Sequence, residues 1–267
     1  MCTRGARHRV RRGVKQWQTN VRSSGSMTMT EPIRVSGKDL GALAMPEFCA
    51  RCFWIQRRAP DGLPYQIFPG IFNSIDSYTK KVVHGWFDQR GAAPRWLGAL
   101  GPVTGYVNPP HHSKFRSLDE ETNILLTGVV DGIFVRPDRS HVIVDYKTAK
   151  FTKNADGLFP IYRTQLNAYA LIAEAVGIAP VSGLALIYTE PLTDEAAALH
   201  DANARPDGFA MGFSAHVLDV TLDVSQIPPL LRRVREILDA PSAPRGMDGC
   251  KDCARLDGVL GIVRLGR

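Results

Sequence analysis

The stretch Ile124-Leu-Leu-Thr-Gly-Val-Val-Asp131-Gly-Ile-Phe-Val135, then Arg136-Pro-Asp-Arg-Ser140, then His141-Val-Ile-Val-Asp145-Tyr-Lys147-Thr148, decides the fold. Two runs rich in β-branched and aromatic residues flank a polar Pro-Asp turn, which predicts a β-hairpin with strands over 124–135 and 141–148. Side chains alternate along a strand, so Ile143, Asp145 and Lys147 project from one face. A charged pair that ends an apolar strand is costly to bury unless something compensates it. Asp131 holds a similar place within the first strand, and the tight turn lets the two carboxylates converge. Close carboxylates raise each other's pKa unless a cation sits between them. Magnesium is held in this way, by one or two carboxylates plus waters and a substrate phosphate. Such an ion polarises a phosphoryl oxygen and lowers the pKa of a bound water. Lys147 is then placed to orient that water and to offset charge building on the phosphorane. For Asp-x-Lys taken alone, a surface salt bridge is the simpler explanation, because such tripeptides are common.

The elements around the hairpin supply the rest. Apolar residues at Ile71, Phe72, Ile75, Tyr78, Val82, Val83, Trp86 and Phe87 recur at spacings of three and four, which predicts a helix over 71–89 that stops at Gly91. Residues 91–118 carry Pro94, Gly98, Gly101, Pro102, Gly105, Pro109 and Pro110, and predict loop with little regular structure. A helix is expected over 162–176 with Gly177 as its stop. Strands are expected at 184–188 and 215–224, and Pro228 and Pro229 suit the first turn of a helix reaching about Leu238. A short helix is expected around Cys49-Ala-Arg-Cys52-Phe-Trp-Ile. Strands and helices mix without internal repeats, so the expectation is one α/β domain over 31–267 built on a mixed central sheet flanked by helices.

Gly128-Val-Val-Asp131, then Asp145-Tyr-Lys147-Thr148, then Gln165-Leu-Asn-Ala-Tyr169 on the next helix, form an ordered set. Gln165 and Tyr169 are four apart and share a helix face. In this set the chain resembles the PD-(D/E)XK nuclease superfamily, and within it the RecB-like branch, which includes the nuclease domains of RecB and AddB and the CRISPR-associated RecB-like exonucleases. The resemblance is strongest over 124–169. It implies a restriction-endonuclease-like core, with Asp131 and Asp145 as metal ligands and Lys147 as the catalytic lysine. It also implies that Gln165 and Tyr169 are the branch's Gln-x-x-x-Tyr motif near the DNA. Val130 stands where the superfamily nominally has proline. An upstream histidine is often a further metal ligand in the branch; His84 is the first candidate, with His111 and His112 as competitors. The implied activity is a Mg2+- or Mn2+-dependent DNA exonuclease in repair, recombination or a mobile-element setting. DNA is then the partner, with a helicase or other recombination protein beside it, no membrane, and a cytoplasmic location. The contrasting readings are a non-enzymatic nucleic-acid-binding or assembly subunit and a thiol redox protein. Intact Asp131, Asp145 and Lys147 argue against the first, and the second lacks the βαβ setting around Cys-x-x-Cys.

Cys49-x-x-Cys52 and Cys250-x-x-Cys253 lie near the two ends of the chain. Each Cys-x-x-Cys turn directs two thiolates at one ion, so two of them complete a tetrahedral sulfur site. Both Zn2+ and a [4Fe–4S] cluster accept four cysteines, and RecB-like nucleases with such clusters turn the expectation modestly towards iron–sulfur. The expected role is structural, fastening the chain ends.

Composition bounds these readings. The chain has 267 residues, 44% of them hydrophobic, enough for a core without disulfide staples. No run approaches the roughly 18 apolar residues that span a membrane, and collagen-like or wholly disordered classes are excluded. A net charge of +7 comes from 33 Lys+Arg against 26 Asp+Glu, which invites nucleic-acid binding. However, Arg4, Arg7, Arg9, Arg11, Arg12, Lys15 and Arg22 account for the whole excess, and residues 1–30 hold no acid. This leader is expected to be disordered, with Met27 or Met29 as the start or, as the alternative, an organellar transit peptide. The remaining body is formally neutral, so any basic groove must come from local clustering, with Arg232, Arg233 and Arg235 as the candidates.

Overall fold

The computed structural model describes residues 31–59, 70–152 and 156–265. The leader and its expected disorder lie outside these. Strand β1 (Ile33–Ser36) leads into helices α1 (Gly37–Ala42), α2 (Ala50–Arg58) and α3 (Ile71–Arg90). A 3-10 helix (Arg95–Leu100) precedes strands β2 (Gly105–Val107), β3 (Arg116–Asp119), β4 (Ile124–Thr127), β5 (Gly132–Val135) and β6 (His141–Lys147). Then follow α4 (Phe159–Ala175), β7 (Val181–Pro191), α5 (Glu195–Ala198), the two-residue strands β8 (Ala204–Arg205) and β9 (Gly208–Phe209), and β10 (Phe213–Val220). Helices α6 (Ile227–Asp239) and α7 (Lys251–Leu265) complete the fold.

Five strands form the central sheet in the order β10-β7-β6-β5-β2. Strands β6 and β7 are parallel and every other pair is antiparallel, so the sheet is mixed. The parallel pair needs a crossover, and α4 provides it. Alternation along the strands sorts the core into two layers. Ile133, Ile143, Leu184, Leu186 and Tyr188 pack with Leu166, Ile172 and Ala173 of α4. Phe134, Val142, Val144, Tyr146, Ala185 and Ile187 pack on the opposite face with Val83 and Phe87 of α3 and Leu97 and Leu100 of the 3-10 helix. Each such fully buried Leu, Ile or Phe contributes about 1.5–3 kcal/mol relative to exposure. The molecule is thus the expected α/β arrangement, a mixed sheet between helices, with the four cysteines from the two chain regions brought together.

The first arm of the expected hairpin departs from its prediction. Residues 124–135 are two strands in two sheets: β4 pairs with β1 and β3, whereas β5 pairs with β6 and β2. The unpaired segment 128–131 joins them, so Asp131 sits just before a strand and not within one. Tyr169 packs on this segment, its ring so near Gly128 that a Cβ there would stand 2.5 Å from Cε1. The Gly- and Pro-rich stretch 91–118 also holds more structure than expected. Its β2 and β3 are edge strands of three and four residues, short enough to tolerate that composition.

Candidate active site

The register of the antiparallel pair places Gly132 opposite Val144. One step further along both chains, Asp131 faces Asp145. The Tyr146 N–H of β6 donates to Asp131 Oδ2 at 3.1 Å, which ties the carboxylate to the strand that carries its counterpart. Asp145 is only 3% exposed. Gln165 Nε2 of α4 donates to its Oδ1 at 3.0 Å. Lys147 Nζ lies 2.5 Å from Oδ2, so the ammonium is the direct counter-charge of the buried carboxylate. Burial raises the Asp145 pKa; Lys147 opposes the rise and Asp131 adds to it. The Lys147 ammonium in turn sits 4.0 Å from the centre of the Tyr162 ring, a favourable face for a cation.

Gln165 and Tyr169 are 6% and 4% exposed. Gln165 Nε2 also donates to the Tyr169 hydroxyl at 2.9 Å. The glutamine–tyrosine pair therefore lies behind Asp145, where it fixes the carboxylate's orientation, and neither side chain is open to a nucleic-acid strand. Gln165→Ala leaves Oδ1 of a buried carboxylate without its donor. Loss of a group that orients a ligand costs about 10–100-fold in metal affinity or activity. The expected result is a midpoint shifted to higher metal concentration together with a lower turnover, read from a metal titration of the hydrolysis rate. An unchanged titration would remove Gln165 from this role.

Helix α3 contributes two residues that the sequence reading missed. Lys80 Nζ lies 2.7 Å from Asp131 Oδ1 and 2.8 Å from Asp76 Oδ2, bridging the two carboxylates. Burial works against the lysine's charge, but Asp131 and Asp76 outweigh it and raise its pKa. Burial also raises Asp76, Lys80 opposes this, and Asp131 raises it further. The available signal was polar residues on the face that carries Thr79, Val83 and Phe87, all buried; the apolar pattern was read and these were passed over.

His84, one turn beyond Lys80, stacks flat on Tyr106 with ring centres 4.0 Å apart. His111 and His112 lie with their rings tilted against each other, centres 4.0 Å apart, in an exposed loop. Among the described contacts, none of the three reaches Asp131 or Asp145. The expected basic cluster is also neutralised, since Arg232 pairs with Glu121, Arg233 with Glu236 and Arg235 with Asp239.

The carboxylates suit a divalent cation on two observations. The Lys80 ammonium already bridges two of them as a monovalent stand-in. Asp76, Asp131 and Asp145 are also paired with only two ammonium groups, Lys80 and Lys147, which leaves a net negative charge for a cation to offset. Asp76, Asp131 and Asp145 are the oxygen donors present, the ligand type that magnesium and manganese take.

At the start of α2 and the start of α7, Cys49, Cys52, Cys250 and Cys253 place their sulfurs within 4.8 Å of one another. All four are free thiols. Among the described residues this is the one group of three or more His, Cys, Asp or Glu gathered so tightly.

A buried Asp-x-Lys on a central strand, a second aspartate across the ladder and a mixed sheet between helices define the class of metal-dependent phosphodiester-cleaving folds. The PD-(D/E)XK nuclease superfamily pattern matches residues 77–257. That is more than half of the chain, and the chain belongs to this superfamily. Cys49, Cys52 and Asp76 precede the matched segment. Among curated proteins none matches the chain. Among solved structures, one titled the crystal structure of SSO0001 is similar at 14% identity and a TM-score of 0.38, covering 78% of this chain and 78% of that one.

Proposed function

We propose that the protein is a Mg2+- or Mn2+-dependent deoxyribonuclease of the RecB-like branch that shortens DNA from its ends, acting in the cytoplasm in repair, recombination or a mobile-element setting beside a helicase or similar partner. The observation that carries this reading is the buried Asp145 carboxylate, held by Gln165 and faced by both Lys147 and Asp131. Asp76, Asp131 and Asp145 would hold the divalent ion, which supplies Lewis acidity and a water of lowered pKa. The chain's own groups do the rest. Gln165 keeps Asp145 in one orientation. Lys147, braced on Tyr162, holds the attacking water by a hydrogen bond and offsets the negative charge that gathers on the phosphorane. Lys80, paired with Asp76 and Asp131, marks the place where the divalent ion would replace its charge.

A groove of about 520 Å³ supports a nucleic-acid substrate. It is lined by Tyr78, Trp96 and Phe213 and by Ile75 and Thr79, the α3 residues that flank the Asp76–Lys80 pair. Aromatic faces beside a phosphate-cleaving centre suit stacking of bases from a single strand. No helix among the described residues is long and apolar enough to cross a membrane. The test is digestion of linear and covalently closed circular DNA with Mg2+ or Mn2+, run also with Asp76→Ala. End-dependent release of short products from linear DNA is expected, with Asp76→Ala requiring more metal. Cleavage of closed circles would reject end-directed action, and an unaltered metal requirement would reject Asp76 as a ligand.

A further inference from the structure

The sulfur cage is built on two helix starts of the same design. Cys49 is the N-cap residue of α2, and Cys52 is the third residue of that helix. Cys250 and Cys253 occupy the corresponding places on α7, which begins at Lys251. All four thiols thus sit at the N-terminal ends of helices of nine and fifteen residues. Backbone N–H groups donate to two of the sulfurs: Met247 to Cys49 at 3.4 Å and Cys253 to Cys250 at 3.5 Å. The Arg51 guanidinium stands beside the cage, paired with Asp257 of α7 through contacts of 3.0 and 2.6 Å. These are the features of a site made for anionic sulfur, independent of the carboxylate site.

The size of the cage decides what fills it. Sγ–Sγ distances are 3.6 Å for Cys49–Cys253, 3.6 Å for Cys52–Cys250 and 3.4 Å for Cys52–Cys253. Four thiolates about 2.3 Å from one zinc ion stand about 3.8 Å apart at tetrahedral angles. In a [4Fe–4S] cluster each cysteine binds a different iron and points outward, which sets the sulfurs roughly 6 Å apart. All four sulfurs here lie within 4.8 Å of one another. Opening the cage to cluster size would drive Cys49 and Cys253, 7% and 8% exposed, into their surroundings. The Gly246 backbone passes beside Cys253, where an added Cβ would stand 3.0 Å from Sγ, so any larger residue would crowd the cage.

We propose that the four cysteines bind a single tetrahedral Zn2+ ion that fastens α7 to α2, and that the iron–sulfur expectation does not fit this chain. No redox step is involved: four thiols lose protons and the ion takes the four thiolates. Among the described side-chain contacts, the partly exposed Arg51–Asp257 ion pair is the other tie between these helices. Exposed apolar side chains at Val259, Leu260, Ile262 and Val263 show how little of α7 is otherwise packed.

The test reads metal content, not hydrolysis, so its outcome is separate from that of the nuclease reading. The full chain is produced with iron in excess, purified without oxygen and offered ferrous iron and sulfide. Expected is a colourless protein with one zinc per chain and no acid-labile sulfide. The zinc should persist in Asp131→Ala/Asp145→Ala and be lost in Cys250→Ser/Cys253→Ser. Replacement by Co2+ in the wild type should give the intense visible bands of tetrahedral thiolate-bound cobalt, a readout that does not depend on any variant folding. Iron with matching sulfide, a single iron, or no metal at the cysteines would each overturn the proposal.

Discussion

Lys147→Met is expected to lower hydrolysis about 100–1,000-fold, the usual cost of removing one group that stabilises developing charge. It is also expected to destabilise the fold by about 3 kcal/mol near neutral pH, because it strips the counter-cation from a buried carboxylate. The two effects share one geometry: Nζ lies 2.5 Å from Asp145 Oδ2 and rests on the Tyr162 ring. The pH dependence separates them. Burial raises the folded-state pKa of Asp145 and Lys147 pulls it down, so the variant's carboxyl titrates higher still. A carboxyl with a raised folded pKa binds its proton more tightly in the folded state. Its penalty is therefore absent below the unfolded carboxylate range and grows as pH rises through the folded pKa. With chelator present, the gap in Tm between wild type and variant should be small at pH 4 and widest at pH 8. A gap that does not change with pH would mean that Lys147 does not compensate Asp145.

The second large effect comes from Gly128. Its Cβ position stands 2.5 Å from Tyr169 Cε1, 2.8 Å from Cδ1 and 3.2 Å from a Phe115 ring carbon. Tyr169 is braced edge-on by Phe115, with ring centres 5.8 Å apart, and cannot withdraw easily. Gly128→Ala should cost about 2–3 kcal/mol by overpacking, a fall in Tm of roughly 5–10 °C for a domain of this size. Activity should fall beyond the unfolded fraction, because Asp131 is three residues along the same unpaired segment and Tyr169 accepts from Gln165. In a Tyr169→Leu background the added methyl should cost much less, giving a coupling of about 1 kcal/mol or more in a double-mutant cycle. Additive losses would place the strain elsewhere.

These two sites mark where the sequence was readable and where it was not. Asp145 and Lys147 stood out because period-two alternation put two charges on the core-facing side of an apolar strand. Their partner Gln165 came from the resemblance to the RecB-like Gln-x-x-x-Tyr motif, and helical spacing added only that it shares a face with Tyr169. The break at 128–131 is invisible to periodicity, since Val129 and Val130 continue an apolar run; only Gly128 hinted that another side chain presses on the backbone there. Asp76 and Lys80 lie four apart, one helical turn, yet the expectation on α3 was His84, because the resemblance implies an upstream histidine and His84 lies in the helix before the hairpin. That choice follows residue type and ignores direction: His84 stacks on Tyr106 at the sheet edge, a turn past the carboxylates. The pairing of two distant Cys-x-x-Cys turns was legible, because tetrahedral sulfur coordination needs four ligands. Spacing could not decide between zinc and a cluster, since both use the same residues, and only the separation of the sulfurs discriminates.

The most direct test of the account is Mg2+- or Mn2+-dependent degradation of end-labelled single- and double-stranded DNA by wild type and by Asp145→Ala, with circular dichroism to verify that the variant is folded. The account predicts metal-dependent cleavage by the wild type and a loss of at least about a thousandfold in a folded Asp145→Ala protein. Equal cleavage by the two proteins, or none by the wild type with either metal, would contradict it.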